Sequence, residues 1–210
     1  MIQIDKQRCT GCGTCVADCV SGVLSIQDGK AQVAGDCFRC GHCIAVCPHA
    51  AVSISVYSDP CIEYDPHTFD IPTQNMLNTV KFRRSVRQFK DKPISMEDLH
   101  ILMDAAAHTP TAKNTQACRF VFVQDSLDYV KQMVWDTIRS AYEAERELPI
   151  PRETVGRFLK LLDTDAPTDF LFRNAPAVLC IQAPDPVDAG LAASAIEMVG
   201  TTLGIGVLYN

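Results

Sequence analysis

CTGCGTCVADC (residues 9–19) and CFRCGHCIAVCP (residues 37–48) decide how the rest of this chain is read. Both follow C-x2-C-x2-C-x3-C, and together they hold eight of the 11 cysteines. A cubic 4Fe–4S cluster needs four thiolates at separated corners. The short turns of one run wrap three thiolates around one cube, while the fourth cysteine reaches the neighbouring cube. The spacing therefore predicts Cys9, Cys12, Cys15 and Cys47 on one cluster, and Cys37, Cys40, Cys43 and Cys19 on the other. Gly11, Gly13 and Gly41 relieve crowding where backbone N–H groups approach the inorganic sulfurs. Zinc fits less well, because it favours paired C-x2-C units over triplets with a shared fourth thiolate. A disulfide framework calls for an export signal, and MIQIDKQRC has neither the basic patch nor the apolar run of one.

Outward from the two runs, the first 58 residues form an internal repeat. Short β-prone pieces at residues 1–5 and 31–34 precede the runs, and others at 22–27 and 51–57 follow them. A unit this small cannot bury a large core, so metal sites must staple it. Across all 210 residues, 47% apolar and 21% charged is a globular balance and excludes disorder. A net charge of −6 argues against a nucleic-acid partner. The most apolar region, residues 189–209, is interrupted by Glu197, Gly200, Gly204 and Gly206, so no membrane span is predicted. The expectation is a cytoplasmic chain, in whose reducing surroundings clustered cysteines hold metal. Cys61, Cys118 and Cys180 lack partner spacing and are expected to be buried structural thiols.

Residues 59–75 carry Pro60, Pro66 and Pro72 and are expected to form an extended linker. Beyond it the pattern alternates between helix and strand. Ser95 caps a predicted helix to about His108, and residues 119–123 form a predicted strand. Helices are expected over 127–144, 152–162 and 188–203, with a second strand over 177–181. KFRRSVRQF (residues 81–89) sets Lys81, Arg83, Arg84, Arg87 and the Ser85 hydroxyl between Val80 and Phe82 on one side and Val86 and Phe89 on the other. Packed that way, the guanidinium groups would hold a phosphate through charge-assisted hydrogen bonds; unpacked, the same run is a solvated helix end. HTPTAKNTQACRFVFV (residues 108–123) runs through a polar loop into a strand, with Asn114 and Gln116 able to donate and accept. A capped turn without a ligand is the alternative there.

The first quarter of the chain resembles a bacterial-type ferredoxin with two 4Fe–4S clusters; Val20 stands where that family's first run carries a proline. From Met76 onward, RRSVR followed by ISMEDLHILMDAAA and PTAKNTQ resembles the nitroreductase family of FMN-dependent oxidoreductases. Its motifs read R-(R/H)-S-x-(R/K) and P-(S/T)-x-x-N-x-Q-P. The resemblance implies that Arg83, Arg84, Ser85 and Arg87 bind the FMN phosphate, ribityl chain and pyrimidine edge. Thr111, Ala112, Asn114 and Gln116 would line the flavin from the opposite loop. Ala117 and Cys118 replace that family's common Pro-Trp pair, and a family member would continue past Asn210 into a further flavin loop and a closing strand.

The whole is thus expected to be α+β: a ferredoxin-type domain with two 4Fe–4S clusters (1–58), a Pro-containing linker (59–75) and a nitroreductase-like mixed α/β sandwich domain (76–210), truncated at its C-terminus. The implied activity passes electrons through the clusters to FMN and on to a small organic acceptor, such as a nitroaromatic, quinone, enone or halogenated ring. The donor is a ferredoxin or NAD(P)H, and no protein acid or base is assigned as catalytic. The resemblance also implies a homodimer, with the helices at 127–144 and 188–203 as candidate contacts, though their apolar faces equally suit intramolecular core. Two other functions stay open: an electron carrier with a flavin-free interaction domain, and a dehalogenating or flavin-consuming member of the same fold.

Overall fold

The computed structural model describes residues 1–57, 61–165 and 167–210. The chain divides into two compact units, Met1–Pro72 with Pro110–Gln116, and Thr73–Thr109 with Ala117–Asn210. Each is built from its own pattern of apolar residues.

In the first unit the sequence repeat becomes a structural one. Its elements are β1 (Ile2–Ile4), α1 (Thr14–Ala17), β2 (Leu24–Gln27), β3 (Lys30–Val33), α2 (His42–Ala45) and β4 (Val52–Ile54). The outer strands β1 and β4 pair antiparallel, with Ile2 opposite Ile54 and Ile4 opposite Val52. The inner strands β2 and β3 form a hairpin with Leu24 opposite Val33. Asp28 and Gly29 turn it, both left-handed at φ 50° and 70°, as a tight hairpin turn with an Asp-Gly pair requires. Ile2, Leu24, Ala31, Val52 and Ile54 are buried together with Cys9, Cys15 and Cys43. The sulfurs therefore face the same small core that the strands close.

The one-turn helices were not anticipated. Gly13 and Gly41 precede α1 and α2 at φ 81° and 79°. That left-handed step, open to glycine at little cost, turns the chain so that Cys15 and Cys43 become the buried residues of their helices.

The extended linker is corrected. The Asp65 side chain accepts from the His67 N–H at 2.9 Å and caps α3 (Pro66–Phe69). Pro72 directly precedes α4 (Thr73–Phe82), which starts inside the expected linker. Both prolines stand where helices begin, where a missing N–H and a fixed φ favour the helix. Ser58, Asp59 and Pro60 lie outside the described residues, and with them the expected 58/59 boundary.

The second unit comprises α4, α5 (Met96–Ala107), β5 (Arg119–Val123), α6 (Leu127–Glu143), α7 (Arg152–Leu162), β6 (Val178–Gln182) and α8 (Pro186–Thr202). The Ser95 hydroxyl accepts from the Asp98 N–H at 3.0 Å and starts α5 as expected. Strands β5 and β6 pair antiparallel, Val121 opposite Cys180. Helix α8 sets Ala192 and Ile196 against Leu102 and Ala106 of α5, with Phe120, Leu179 and Ile181 packed around them. The apolar face of α8 is therefore intramolecular core. Helices α6 and α7 are joined by Arg139, which donates to both Asp163 oxygens at 2.7 and 3.0 Å. Among the described residues no helix is long and apolar enough to cross a membrane.

The glycines of the first cysteine run differ in a measurable way. A Cβ on Gly11 (φ 71°) would lie 2.2 Å from the Gly29 carbonyl oxygen, whereas one on Gly13 (φ 81°) would meet nothing within 4 Å. Gly13→Ala should cost about 1–2 kcal/mol from left-handed strain alone. Gly11→Ala should cost clearly more, because a backbone clash adds to the strain. Urea midpoints of the two variants, measured anaerobically, check the order; equal midpoints would contradict this packing.

Candidate functional site

Cys9, Cys12, Cys15 and Cys47 line one cavity. Three come from the first run and the fourth from the end of the second, delivered by the turn between α2 and β4. This is the set that the spacing assigns to one cube. Backbone N–H groups already point at these sulfurs: Ala31 N donates to Cys9 Sγ at 3.4 Å and Ala51 N to Cys47 Sγ at 3.3 Å. Such donors favour the thiolate. The Ala31 N–H holds the Cys9 thiol below its ordinary value, and the Thr14 hydroxyl does the same for Cys12. Burial, followed by the field of Cys47, raises Cys15.

N–H···S contacts recur in the second run. Cys43 is pushed up to about 11 by burial first and then by Cys37 and Cys40, which places those three thiols in one electrostatic neighbourhood. Arg39 N donates to Cys37 Sγ at 3.1 Å. Burial raises Cys19, but hydrogen bonds from Ser21 and from the Val23 backbone outweigh it, so its thiol ends below the ordinary value. The first set is all sulfur, carries N–H···S contacts and lines one cavity, which suits a cube better than a single ion. None of the eleven cysteines is joined in a disulfide.

The three remaining cysteines are not buried structural thiols. Cys61 and Cys180 are exposed and Cys118 is half-buried. Cys180 lies opposite Val121, itself 58% exposed, on the outward face of a two-stranded ribbon. Strand alternation put its neighbours Leu179 and Ile181 into the core instead.

The second polar motif folds with the first unit. Ala112–Asn114 is a 3-10 turn in which Lys113 is left-handed, and Asn114 (φ 52°) and Gln116 (φ 49°) are left-handed too. Thr111 Oγ1 accepts from the Gln116 N–H at 3.0 Å, and Gln116 Nε2 donates to Asn114 Oδ1 at 3.1 Å. Asn114 Nδ2 donates to the carbonyls of Phe38 at 3.1 Å and Arg39 at 2.8 Å. The Tyr57 hydroxyl donates to the same Arg39 carbonyl.

The basic motif belongs to the second unit. Arg83 follows the end of α4 and pairs with Glu197 of α8 at 3.0 Å, and Tyr209 Oη donates to the other Glu197 oxygen at 2.9 Å. Glu197 is only 5% exposed, so its charge must be paired where it lies. Burial, followed by the adjacent Glu197, pushes Tyr209 up to about 12. Arg84 donates to the carbonyls of Lys81 and Arg83 at 2.8 and 2.7 Å. Ser85 is half-buried and Arg87 exposed. The expected apolar clamp is corrected: Val80 and Phe82 are 53% and 83% exposed. Arg83 is anchored by a buried carboxylate, and three residues on the Val86 N–H donates to Val207 O at 3.0 Å. Glu197 and Tyr209 were not singled out from sequence as site residues. The available signal was that Glu197 is the only charged residue from 189 to 210, and a lone charge in an apolar helix needs a partner.

Residues 8–52 match the 4Fe-4S dicluster domain. Among solved structures, an FMN-dependent nitroreductase from Clostridium difficile R20291 is 26% identical and aligns 64% of this chain with 59% of that one, at a TM-score of 0.47. A nitroreductase with bound FMN from Bacteroides fragilis NCTC 9343 is 22% identical, with 64% and 68% covered and a TM-score of 0.50. One from Desulfitobacterium hafniense DCB-2, also with bound FMN, is 26% identical over 62% and 66%, at 0.47. The chain thus spans 59% of the length of the Clostridium difficile R20291 protein. No curated protein matches it. Residues 80–210, more than half of the sequence and including the basic motif, its buried Glu197 partner and the polar loop, match the nitroreductase family, and the chain belongs to that family.

Proposed function

We propose that this chain is an iron–sulfur flavoprotein oxidoreductase, with Cys9, Cys12, Cys15 and Cys47 on one 4Fe–4S cluster and Cys37, Cys40, Cys43 and Cys19 on the other. The observation that carries it is the shared cavity of the first four, joined in one chain to a nitroreductase-family segment. When bound, the clusters supply one-electron transfers, and FMN supplies the conversion between one- and two-electron chemistry. The protein's part is to hold and orient them. Arg83, Arg84, Ser85 and Arg87 bind the phosphate, ribityl chain and pyrimidine edge. Thr111, Ala112, Asn114 and Gln116 line the flavin from the polar loop, Asn114 through its backbone, since its amide hydrogens and Oδ1 are engaged. Glu197 fixes one face of the Arg83 guanidinium and leaves its other N–H groups available to an anion.

A homodimer, a small organic acceptor such as a nitroaromatic or quinone, a ferredoxin or NAD(P)H donor and a cytoplasmic setting complete the proposal. The competing function is an electron carrier without flavin, favoured by Arg83 already having a carboxylate partner.

Protein purified anaerobically should carry about eight irons and eight sulfides per chain, together with flavin absorbance. Zinc in their place overturns the cluster assignment, and failure to bind added FMN overturns the enzyme. Arg83→Ala should weaken FMN binding by about 1.5–3 kcal/mol, roughly 10- to 150-fold in Kd, measured by fluorescence titration.

Tyr209 gives a pH signature of the Glu197 cluster. Its folded pKa is raised to about 12, from an ordinary tyrosine value of about 10. The stabilisation is therefore complete below pH 10 and lost as pH rises towards 12, because the unfolded chain ionises first. Urea unfolding of wild type and Tyr209→Phe should differ by a constant below pH 10. The difference should shrink across that window; a difference independent of pH would contradict the raised pKa.

A further inference from the structure

We propose that Asn114 is a positioning residue for the second cysteine loop: together with Tyr57 it locks the Arg39 backbone, keeps the Arg39 N–H on Cys37 Sγ, and so raises the reduction potential of that cluster alone. This rests on the two-cluster assignment above.

The repeat makes the argument. In the first run the residue before the second cysteine is Gly11, left-handed at φ 71°; in the second it is Arg39, left-handed at φ 55°. Both loops need the same turn. Glycine adopts it freely, whereas an arginine there is strained and persists only where its surroundings hold it. The surroundings are on the page. The Arg39 carbonyl accepts from Asn114 Nδ2 at 2.8 Å and from the Tyr57 hydroxyl, and the same Nδ2 reaches the Phe38 carbonyl at 3.1 Å. The Tyr57 ring also lies over the neighbouring Gly41, where an added Cβ would be 3.6 Å from it.

The clamp itself is fixed. Asn114 is left-handed at φ 52°, a conformation that asparagine tolerates better than most residues. The Gln116 amide donates to its Oδ1, which orients the carboxamide with both hydrogens toward the cysteine loop. On the other side of Arg39, its N–H donates to Cys37 Sγ at 3.1 Å. Hydrogen bonds to cluster sulfurs stabilise the more negative, reduced form and raise the potential. Release of the carbonyl frees the strained residue to relax, and the N–H leaves the sulfur. The first loop, with glycine at the equivalent position, has no such dependence. Asn114 also lies within the segment that matches the nitroreductase family, so this segment sets a property of the second cluster.

Anaerobic redox titration of the full chain, followed by electron paramagnetic resonance, tests this. Asn114→Gly keeps the left-handed backbone while deleting the clamp, and Tyr57→Phe deletes only the hydroxyl. In each, one of the two midpoints should fall by up to about tenfold in the one-electron equilibrium, about 59 mV, with the other unmoved. Arg39→Gly combined with Asn114→Gly should restore it, since glycine holds the turn unaided; loss of the second cluster in Asn114→Gly with the same rescue counts as support. Two unmoved midpoints in both variants, equal shifts of both clusters, or a shift that Arg39→Gly does not rescue would overturn the proposal. A wild-type protein without iron instead overturns the cluster assignment beneath it.

Discussion

A four-cornered cluster cannot be satisfied by a short loop that turns through only three cysteines, and the first unit is organised around that deficit. Cys47 must leave the second run and reach the cavity of Cys9, Cys12 and Cys15. It can do so because β4, which starts a few residues later, pairs with β1, which ends shortly before Cys9. The Asp5 N–H donates to the Ala51 carbonyl at 2.8 Å and extends that pairing toward the loops. The pseudo-twofold arrangement, outer strands together and inner strands together, brings the last cysteine of the second run among the first three of the first. Its small apolar core then needs only to seal the back of the sulfurs.

Buried charge plays the corresponding part in the second unit. Glu197 sits one residue after Ile196, which packs against α5, so the helix that supplies core also carries a carboxylate inward. Desolvating that group without partners would cost several kcal/mol. Arg83 and Tyr209 supply them from either end of the unit's sequence. The result ties the segment after α4 and the last residues of the chain to one atom pair on α8. It also orients the first arginine of the basic motif by polar contacts, which hold a guanidinium more directionally than the apolar flanks would have done.

How much of this was legible follows from how local each signal is. Cysteine spacing is a local count, and the four residues it groups line one cavity. Ser95, followed by a run with helical period, foretold α5 to within a residue, and the β-branched and aromatic run RFVFV foretold β5. The misses are of another kind. At Pro66 and Pro72 proline's two effects, ending one element and starting the next, look alike without the cap at Asp65 in view. Cys180 was expected inside because cysteine usually is; strand alternation, which needs the register against β5, placed it outside. Glu197 and the Asn114 contacts were invisible because their partners lie 114 and 75 or 76 residues away.

The last of these bears on what the chain's domains are. By family, residues 110–116 belong to the nitroreductase segment; by packing, they belong with residues 1–72. A cut at the proline-containing stretch would therefore leave the cysteine unit without Asn114 and would expose the carbonyls of Phe38 and Arg39 to water. Solvent can satisfy those oxygens, but it cannot hold a left-handed arginine in place. The first loop, with Gly11 at the same position, would be indifferent to the cut. Two loops of matching cysteine spacing thus differ in independence, and the difference traces to one residue of the repeat: glycine where the loop stands alone, arginine where another segment of the chain grips it.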